Sequence, residues 1–302
     1  MPIYKMKRLI LVILAFVLLL PSIKANETYF PYPQPPEELT TLAQRSNYLV
    51  EHFWDRCNFK SAFSSTERLK NAFCDYIAFM PYAAPDTVHT SINNLIDKVK
   101  KNPKNLLTLA IIAEATLYGD SAMYWSDELY LPFAEAVVNT KKISKTDRAR
   151  FEHHVSILKG SQVGMTAPNL ELITPLGETI MLDSVSAQHI ILFFNDPDCD
   201  DCRIAKTRMA ANLEANNLIN AGVLKIVSIY PGEPDEEWIA ETTDYPKNWI
   251  VGASVNADLL YDMRTKPTLY YLQSNHEIVL KNLVIDNVLN AFILLNNSLN
   301  KE

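Results

Sequence analysis

Two cysteines separated by two residues, Cys199 and Cys202, stand where an apolar run gives way to a helix-like segment. The run is Ile190 to Phe194, and a strand that feeds a helix through a short turn leaves the first helical N–H groups unpaired. A sulfur at that position is stabilised as a thiolate, and a second sulfur one helical turn later can attack a mixed disulfide at the first. The spacing therefore predicts a redox dithiol, with an inert structural disulfide as the alternative.

The charges around the first sulfur are mostly negative. The neighbouring carboxylates are those of Asp196, Asp198, Asp200 and Asp201. The local cations that oppose them are Arg203 and Lys206. Negative charge disfavours a thiolate, whereas the helix terminus favours it. Because a less stable thiolate in the reduced form lowers the reduction potential, the sequence favours a reductant or isomerase over an oxidase.

The first 25 residues have the pattern of a secretory signal peptide. Lys5, Lys7 and Arg8 precede an uninterrupted apolar run from Leu9 to Leu20, and small residues near position 25 offer a cleavage site. The run is shorter than the about 20 residues of a membrane span, which leaves an uncleaved anchor as the alternative. We therefore expect an exported, periplasmic protein in an oxidising compartment.

Composition argues against several kinds of partner. The chain has 302 residues and a formal net charge of −7, and removal of the leader would take away four positive and no negative charges. An acidic chain without a basic stripe is a poor ligand for nucleic acid, and the sequence has no glycine-rich phosphate loop. We expect no nucleic-acid partner, and membrane contact only through an uncleaved leader.

The rest of the chain has two halves with different periodicities. Apolar residues recur at helical spacing up to about Leu158, which predicts an all-helical domain over 26–158. The predicted helices start near Leu39 and then cover 65–79, 87–101, 105–117, 128–138 and 145–158. Residues 159–168 form a linker and entry segment, and the pattern changes beyond them.

From 169 to 302, short apolar runs alternate with helical ones, which predicts an α/β domain. The predicted strands cover 169–173, 178–182, 189–194, 223–230, 249–251, 268–272 and 277–281, and the predicted helices cover 200–217, 235–241, 256–261 and 284–299. The order strand, helix, strand over 189–230 makes a parallel pair. We expect a mixed central sheet with helices on both faces and the dithiol at the carboxyl end of a central strand, where ligands bind in such sheets.

Three motifs between about Val163 and the end of the chain resemble the thioredoxin-like superfamily. They are the entry Gly164-Met-Thr-Ala-Pro168, the strand and dithiol Phe193-Phe194 with Cys199-Asp-Asp-Cys202, and the run Lys266-Pro267-Thr268 before the last hairpin. The resemblance is to exported members related to the disulfide reductases of cytochrome c maturation and, more distantly, to alkyl hydroperoxide reductases and other peroxiredoxins. The helical half, through the runs at 45–55 and 128–133, resembles a domain of unknown function that precedes such modules in exported bacterial proteins.

This resemblance implies a role for four residues. Cys199 would be the exposed nucleophile and Cys202 the resolving thiol. Pro267 would be the cis-proline whose preceding backbone, at Lys266, pairs with a substrate strand beside the sulfurs. The residue before Cys202 is Asp201 where the best-studied members carry proline, so their redox potentials do not transfer to this chain.

A peroxidase is disfavoured by the residues before the dithiol. Asp196 and Leu192 stand where peroxiredoxins carry a threonine or serine and a proline to build the peroxide pocket. A carboxylate would repel the attacking thiolate instead of donating a hydrogen bond to the peroxide.

Two other groups of residues carry weaker patterns. Cys57 and Cys74 lie in successive predicted helices, and two interpretations stay open: a structural disulfide, or two buried thiols packed as small hydrophobic groups. His153 and His154 are adjacent on a helix and therefore point apart, which favours a solvated face over a metal pair. The cysteine and histidine spacing of a structural metal site is absent from the sequence, so we expect no metal.

These patterns together predict a thiol-disulfide oxidoreductase that acts on protein disulfides. They favour a reductase or isomerase over an oxidase. No metal or organic cofactor is implied, whereas a disulfide-containing protein substrate and an upstream electron-donor protein are. The competing class is a redox-inactive binding or scaffold protein whose helical domain engages a partner. Glu178, Asp183 and Glu233 stay open as residues that assist proton transfer.

Overall fold

The computed structural model describes residues 28–119 and 121–299. The predicted signal peptide over 1–25 lies outside the described residues. By contacts the chain divides into two compact units, one that ends at Val88 and one that begins at His89. The boundary that the sequence pattern places at 158 stays a prediction. Contacts group the helical residues from His89 onward with the sheet.

Among its described residues, the first unit contains two α-helices and the start of a third. These are α1 (Leu42–His52), α2 (Thr66–Phe79) and α3 (Pro85–Val99). Thr41 caps α1 through a capping box with Gln44, because each residue's side chain accepts a hydrogen bond from the other's backbone N–H. The core of this unit is aromatic. The ring of the fully buried Phe53 lies between 4.6 and 5.7 Å from four other rings, those of Phe30, Tyr32, Trp54 and Tyr76.

The remaining helices that precede the sheet lie in the second unit. They are α4 (Pro103–Leu117), α5 (Asp127–Val138) and α6 (Lys145–Gly160). Each begins at a polar cap: the side chains of Asn102, Ser126 and Ser144 accept hydrogen bonds from backbone N–H groups of the first turn. The six helices predicted from periodicity are therefore confirmed. None of the helices within the described ranges is long and apolar enough to cross a membrane.

A seven-stranded mixed sheet follows. Its strands are β1 (Glu171–Ile173), β2 (Thr179–Met181), β3 (His189–Phe194), β4 (Leu224–Tyr230), β5 (Ile250–Ala253), β6 (Thr268–Gln273) and β7 (Ile278–Leu280). The spatial order is β2-β1-β5-β4-β3-β6-β7. Strand β3 runs parallel to β4 and antiparallel to β6, and β4 runs parallel to β5. The dithiol strand β3 is therefore central, as the pattern predicts.

Helices cover both faces of this sheet. They are α7 (Asp200–Ala210), α8 (Leu213–Asn220), α9 (Glu236–Glu241), α10 (Ala257–Leu260) and α11 (Ile285–Leu299). On one face Ile191 and Phe193 pack with residues of α7, α8 and α11. On the other, Leu192 and Phe194 pack with Tyr261 beside α10, and α10 in turn contacts α6. This alternation along β3 is what a strand buried on both faces requires, and the fold class is confirmed.

One predicted element is wrong. The helix expected over 200–217 is two helices, because α7 ends at Ala210 and α8 begins at Leu213. Asn212 causes the break, since its side chain accepts a hydrogen bond of 2.8 Å from the N–H of Ala215 and so caps α8.

Candidate active site

Cys199 and Cys202 lie where the central strand meets its helix. After β3 ends at Phe194, residues 195–198 turn the chain and Cys199 takes the N-cap position of α7. The two cysteines form a disulfide with their Cα atoms 5.1 Å apart. The Sγ atom of Cys199 also accepts a hydrogen bond of 3.1 Å from the N–H of Cys202. Cys199 is half-buried and Cys202 is buried, so only the first sulfur is open to a reaction partner.

The loop that carries Pro267 lies near the dithiol because the strand after it, β6, pairs with β3. Strand β6 begins at Thr268, which pairs directly with Phe194, so Pro267 stands beside the turn that leads to Cys199. The peptide bond between Lys266 and Pro267 is cis. The Nζ atom of Lys266 lies 2.5 Å from the Oδ2 atom of Asp196, which ties the two loops together.

The charges around Cys199 are more balanced than the sequence suggests. Asp196 pairs with Lys266, whose hydrogen bond lowers the pKa of that carboxyl, and Asp200 pairs with Arg203. Two other acids, Asp198 and Asp201, are exposed. No ion pair to either of them occurs within 28–119 and 121–299.

The second cation expected to oppose these acids is directed elsewhere. The Nζ atom of Lys206 lies 3.5 Å from Glu241 and 4.2 Å from the centre of the Tyr245 ring. Lys266 takes its place at the dithiol loop. Of the two local cations expected to oppose these acids, Arg203 does so and Lys206 does not, and strand pairing adds a lysine from 70 residues away.

The buried side-chain amide of Asn195 holds the start of the dithiol loop in place. The side chain of Asn195 donates to the Ser228 hydroxyl at 2.7 Å and to the Phe193 carbonyl at 2.9 Å, and it accepts from the Tyr245 hydroxyl at 2.7 Å. These bonds use both ends of the amide and fix the start of the turn. The three carboxylates left open for proton transfer, Glu178, Asp183 and Glu233, are all exposed.

A buried ion cluster lies two residues before the cis peptide bond, and the sequence analysis missed it. Asp262 is 2% exposed, and both of its carboxylate oxygens accept hydrogen bonds from Arg264, at 2.7 and 2.5 Å. Arg264 also donates to Asp127 at the start of α5, at 2.5 Å, and Asp127 in turn binds Lys281 at 2.7 Å. Burial raises the pKa of Asp127, but Lys281 and Arg264 outweigh it and hold that pKa below its usual value.

Arg264 is also enclosed by aromatic rings from the connection between α4 and α5. Its guanidinium lies 3.7 Å from the centre of the Tyr118 ring and 4.5 Å from that of Trp125, and it donates to the Tyr118 carbonyl at 2.8 Å. Stacking and ion pairing of this kind suit arginine rather than lysine. The Asp262 to Pro267 loop is therefore anchored on residues that precede the sheet.

The remaining predicted groups do not join this site. Cys57 and Cys74 are half-buried and lie in the first unit, and their pairing stays a prediction. His153 is exposed as expected, but His154 is half-buried and lies 2.7 Å from the Tyr130 hydroxyl, so its assignment to a solvated face is wrong. The described ranges contain no group of three or more residues that could hold a metal ion.

Fold and site together define a thioredoxin-like fold with a disulfide-bonded Cys-x-x-Cys pair, preceded by a helical region. Residues 20–161 match the family described as a domain of unknown function, DUF5106. A structure of a thioredoxin-like protein from Bacteroides caccae is 24% identical, with a TM-score of 0.75 over 88% of this chain and 98% of its own. That likeness covers the helical region as well as the sheet.

Two shorter structures each match less than half of this chain. A conserved protein of unknown function from Bacteroides fragilis is 31% identical over 43% of this chain and 98% of its own, with a TM-score of 0.41. The thioredoxin domain of a thiol-disulfide oxidoreductase from Bacteroides vulgatus is 17% identical over 45% of this chain and 98% of its own, with a TM-score of 0.39. No curated protein matches the sequence at a significant level.

Proposed function

We propose that this protein is an exported thiol-disulfide oxidoreductase that reduces or isomerises protein disulfides through Cys199 and Cys202. The observation that carries the proposal is the position of the two sulfurs: one half-exposed at a helix N-cap, the other buried and bonded to it. Helix N-termini stabilise thiolates, and here the N–H of Cys202 already points at the outer sulfur.

The exchange proceeds in two steps. In the reduced protein the Cys199 thiolate attacks one sulfur of the substrate disulfide, which breaks that bond, forms a mixed disulfide and releases one substrate thiolate. Cys202 then loses its proton and attacks Cys199, which releases the second substrate thiolate. The substrate gains two electrons and two protons, and the protein is left with the Cys199–Cys202 disulfide. A dithiol donor protein must return the electrons.

The charge around Cys199 supports the reducing direction. The exposed carboxylates of Asp198 and Asp201 flank Cys199, and negative charge disfavours the thiolate of the reduced form. Reduced protein is then the better electron donor. The basic and apolar leader supports export, where disulfide-bearing substrates occur.

The test is catalysed reduction of a disulfide-bonded protein by dithiothreitol, with wild-type protein and the variants Cys199→Ser and Cys202→Ser. We expect Cys199→Ser to lower the catalysed rate about a hundredfold or more, because no other nucleophile lies at the N-cap. Cys202→Ser should instead accumulate a mixed disulfide that mass spectrometry detects. Cys74→Ser, in the first unit, is the matched control and should keep the wild-type rate.

The scaffold alternative predicts the opposite pattern. If wild-type protein does not accelerate reduction, or if Cys199→Ser is as active as wild type, the proposed function is wrong. Function would then have to be sought in the helical region.

A further inference from the structure

Arg264 fastens the loop before β6 to α5 and to the connection that leads to α5. Its side chain is 9% exposed, and all three guanidinium nitrogens donate hydrogen bonds: to both carboxylate oxygens of Asp262, to the Tyr118 carbonyl at 2.8 Å and to Asp127 at 2.5 Å. Asp127 lies in the first turn of α5. Two of these partners therefore belong to the helical region, and the third belongs to the loop itself.

The same loop is bonded to the turn that carries Cys199. Lys266 follows Arg264 by two residues, and its Nζ atom lies 2.5 Å from the Oδ2 atom of Asp196. The Oδ1 atom of Asp196 accepts a hydrogen bond of 3.2 Å from the N–H of Asp198, and the Asp196 carbonyl accepts one of 3.1 Å from the N–H of Cys199. Asp196 is thus bonded to the loop on one side and to the dithiol turn on the other.

Lys266 compensates the charge of Asp196 close to the outer sulfur. Its hydrogen bond is the main cause that holds the pKa of the Asp196 carboxyl below its usual value, so this group is ionised when Cys199 loses its proton. An uncompensated carboxylate at this place would disfavour the Cys199 thiolate. The position of Lys266 therefore bears on the reactivity of Cys199, and Arg264 fixes the chain two residues before Lys266.

We propose that Arg264 is a positioning residue for thiol exchange, which holds Lys266 at Asp196 by fastening the loop to α5. The inference rests on the proposed function. Contacts in series link α5 to the nucleophile: Asp127 with Arg264, Lys266 with Asp196, and the Asp196 carbonyl with the N–H of Cys199. Part of the helical region thereby acts on the dithiol, although it contributes no atom to the exchange.

The experiment measures how fast iodoacetamide alkylates Cys199 in the reduced protein as a function of pH, with mass analysis to separate the cysteines. Asp127→Asn removes the link to α5 and leaves the buried pair of Arg264 within the loop in place. We expect the pH of half-maximal alkylation to rise by about half a unit or more, because Lys266 is no longer held at Asp196. Loss of a distant negative charge would by itself lower this midpoint, so a rise identifies the loop.

Glu128→Gln is the matched control, because it removes the same charge from the next residue of α5. The side chain of Glu128 is 72% exposed and pairs with His89. This variant should keep the wild-type midpoint. Arg264→Lys is the second test variant, since an ammonium keeps the charge beside Asp262 but lacks the fork that reaches several acceptors, and its midpoint should rise as well.

A double variant tests whether the link runs through Lys266. Lys266→Met should raise the midpoint, because it removes the cation directly. If Asp127 acts through Lys266, the double variant Asp127→Asn/Lys266→Met should have the midpoint of Lys266→Met alone, since the effects of coupled residues do not add. The other charges of the dithiol turn and its helix start are the same in every variant: Asp198, Asp200, Asp201 and Arg203.

Reduction of a disulfide-bonded protein by each variant connects the midpoint to exchange. Asp127→Asn and Arg264→Lys should be about tenfold slower than wild type, because a reacting group held out of place loses rate. Glu128→Gln should keep the wild-type rate. Far-UV circular dichroism establishes that each variant is folded before its rate is compared.

The outcomes separate the two proposals. If folded Asp127→Asn and Arg264→Lys keep the wild-type midpoint, or if the double variant shows the sum of the two single shifts, the positioning inference is wrong and the proposed function stands. If wild-type protein does not reduce protein disulfides, the proposed function is wrong and the inference falls with it, whatever the midpoints.

Discussion

The helices before the sheet form two stretches with different roles. Those up to Val88 enclose an aromatic core of their own, centred on Phe53. Those from His89 to Gly160 belong to the same compact unit as the sheet and send Tyr118, Trp125 and Asp127 to the loop before the cis peptide bond. The helical region has one uniform periodicity, but the contacts of its side chains divide it into two stretches.

The difference teaches where function can be sought in the helical region. The second stretch contacts the loop that carries Pro267, because the Tyr118 carbonyl and the Asp127 carboxylate accept hydrogen bonds from Arg264. The first stretch forms a compact unit with an aromatic core of its own, and we expect substitutions there to change stability without changing thiol exchange.

The largest loss of stability should come from breaking the ion cluster of Asp262, Arg264 and Asp127. Arg264→Met would leave the carboxylate of Asp262, whose side chain is 1% exposed, without its partner. Loss of one member of a buried pair costs about 3–5 kcal/mol. Chemical denaturation should therefore show a loss of that size in the free energy of unfolding.

The matched control for this variant is Arg208→Met. Arg208 pairs with Asp286 at the surface, where both side chains are at least 41% exposed. Surface pairs contribute about 0–1 kcal/mol, so this variant should be close to wild type. Equal stability of the two variants would show that the Arg264 cluster is not an anchor.

A loss of stability of intermediate size should appear at acidic pH. Burial lowers the pKa of His154 from 6.5 to about 4, with His153 and Arg150 adding positive charge nearby. Between those two values the unfolded chain binds a proton that the folded chain does not, so stability falls as the pH drops from 6.5 towards 4. Thermal melts over this range should show a declining Tm, and His154→Gln should flatten that decline.

The control for the acid prediction is His89→Gln, because His89 is exposed. This variant should keep the wild-type slope of Tm against pH. An identical slope for His154→Gln would mean that other groups cause the loss.

The smallest expected loss of stability comes from a substitution in the first stretch of helices. Ile77→Val removes one methylene from a side chain in α2 that is 1% exposed, which costs about 0.5–1.5 kcal/mol. Disulfide exchange should stay within about twofold of wild type, as measured by reduction of a protein disulfide. A large loss of exchange at unchanged folding would contradict the division of the helical region into two roles.

The features that sequence predicts well are those with a local pattern. The dithiol, the helix that follows it and the central strand are adjacent in the chain, and their periodicities are visible within short windows. The break at Asn212 also had a local pattern, since asparagine is a preferred N-cap residue, but it was outweighed by the continuous helical run around it.

The ion cluster had no such pattern. Arg264 and Asp127 are 137 residues apart, and either one alone is an ordinary surface charge in the sequence. The same holds for His154, whose partner Tyr130 lies on another helix. Contacts of this kind depend on how the elements pack, and periodicity reports only which face of an element is buried.

The central claim is that Cys199 and Cys202 form a reversible dithiol couple. The most direct test is a redox titration of the protein against defined dithiothreitol ratios, with alkylation and mass analysis of each cysteine. We predict that the two sulfurs titrate together, with a potential near or below the thioredoxin value of about −270 mV. A disulfide that stays closed throughout while Cys57 and Cys74 respond would contradict the account.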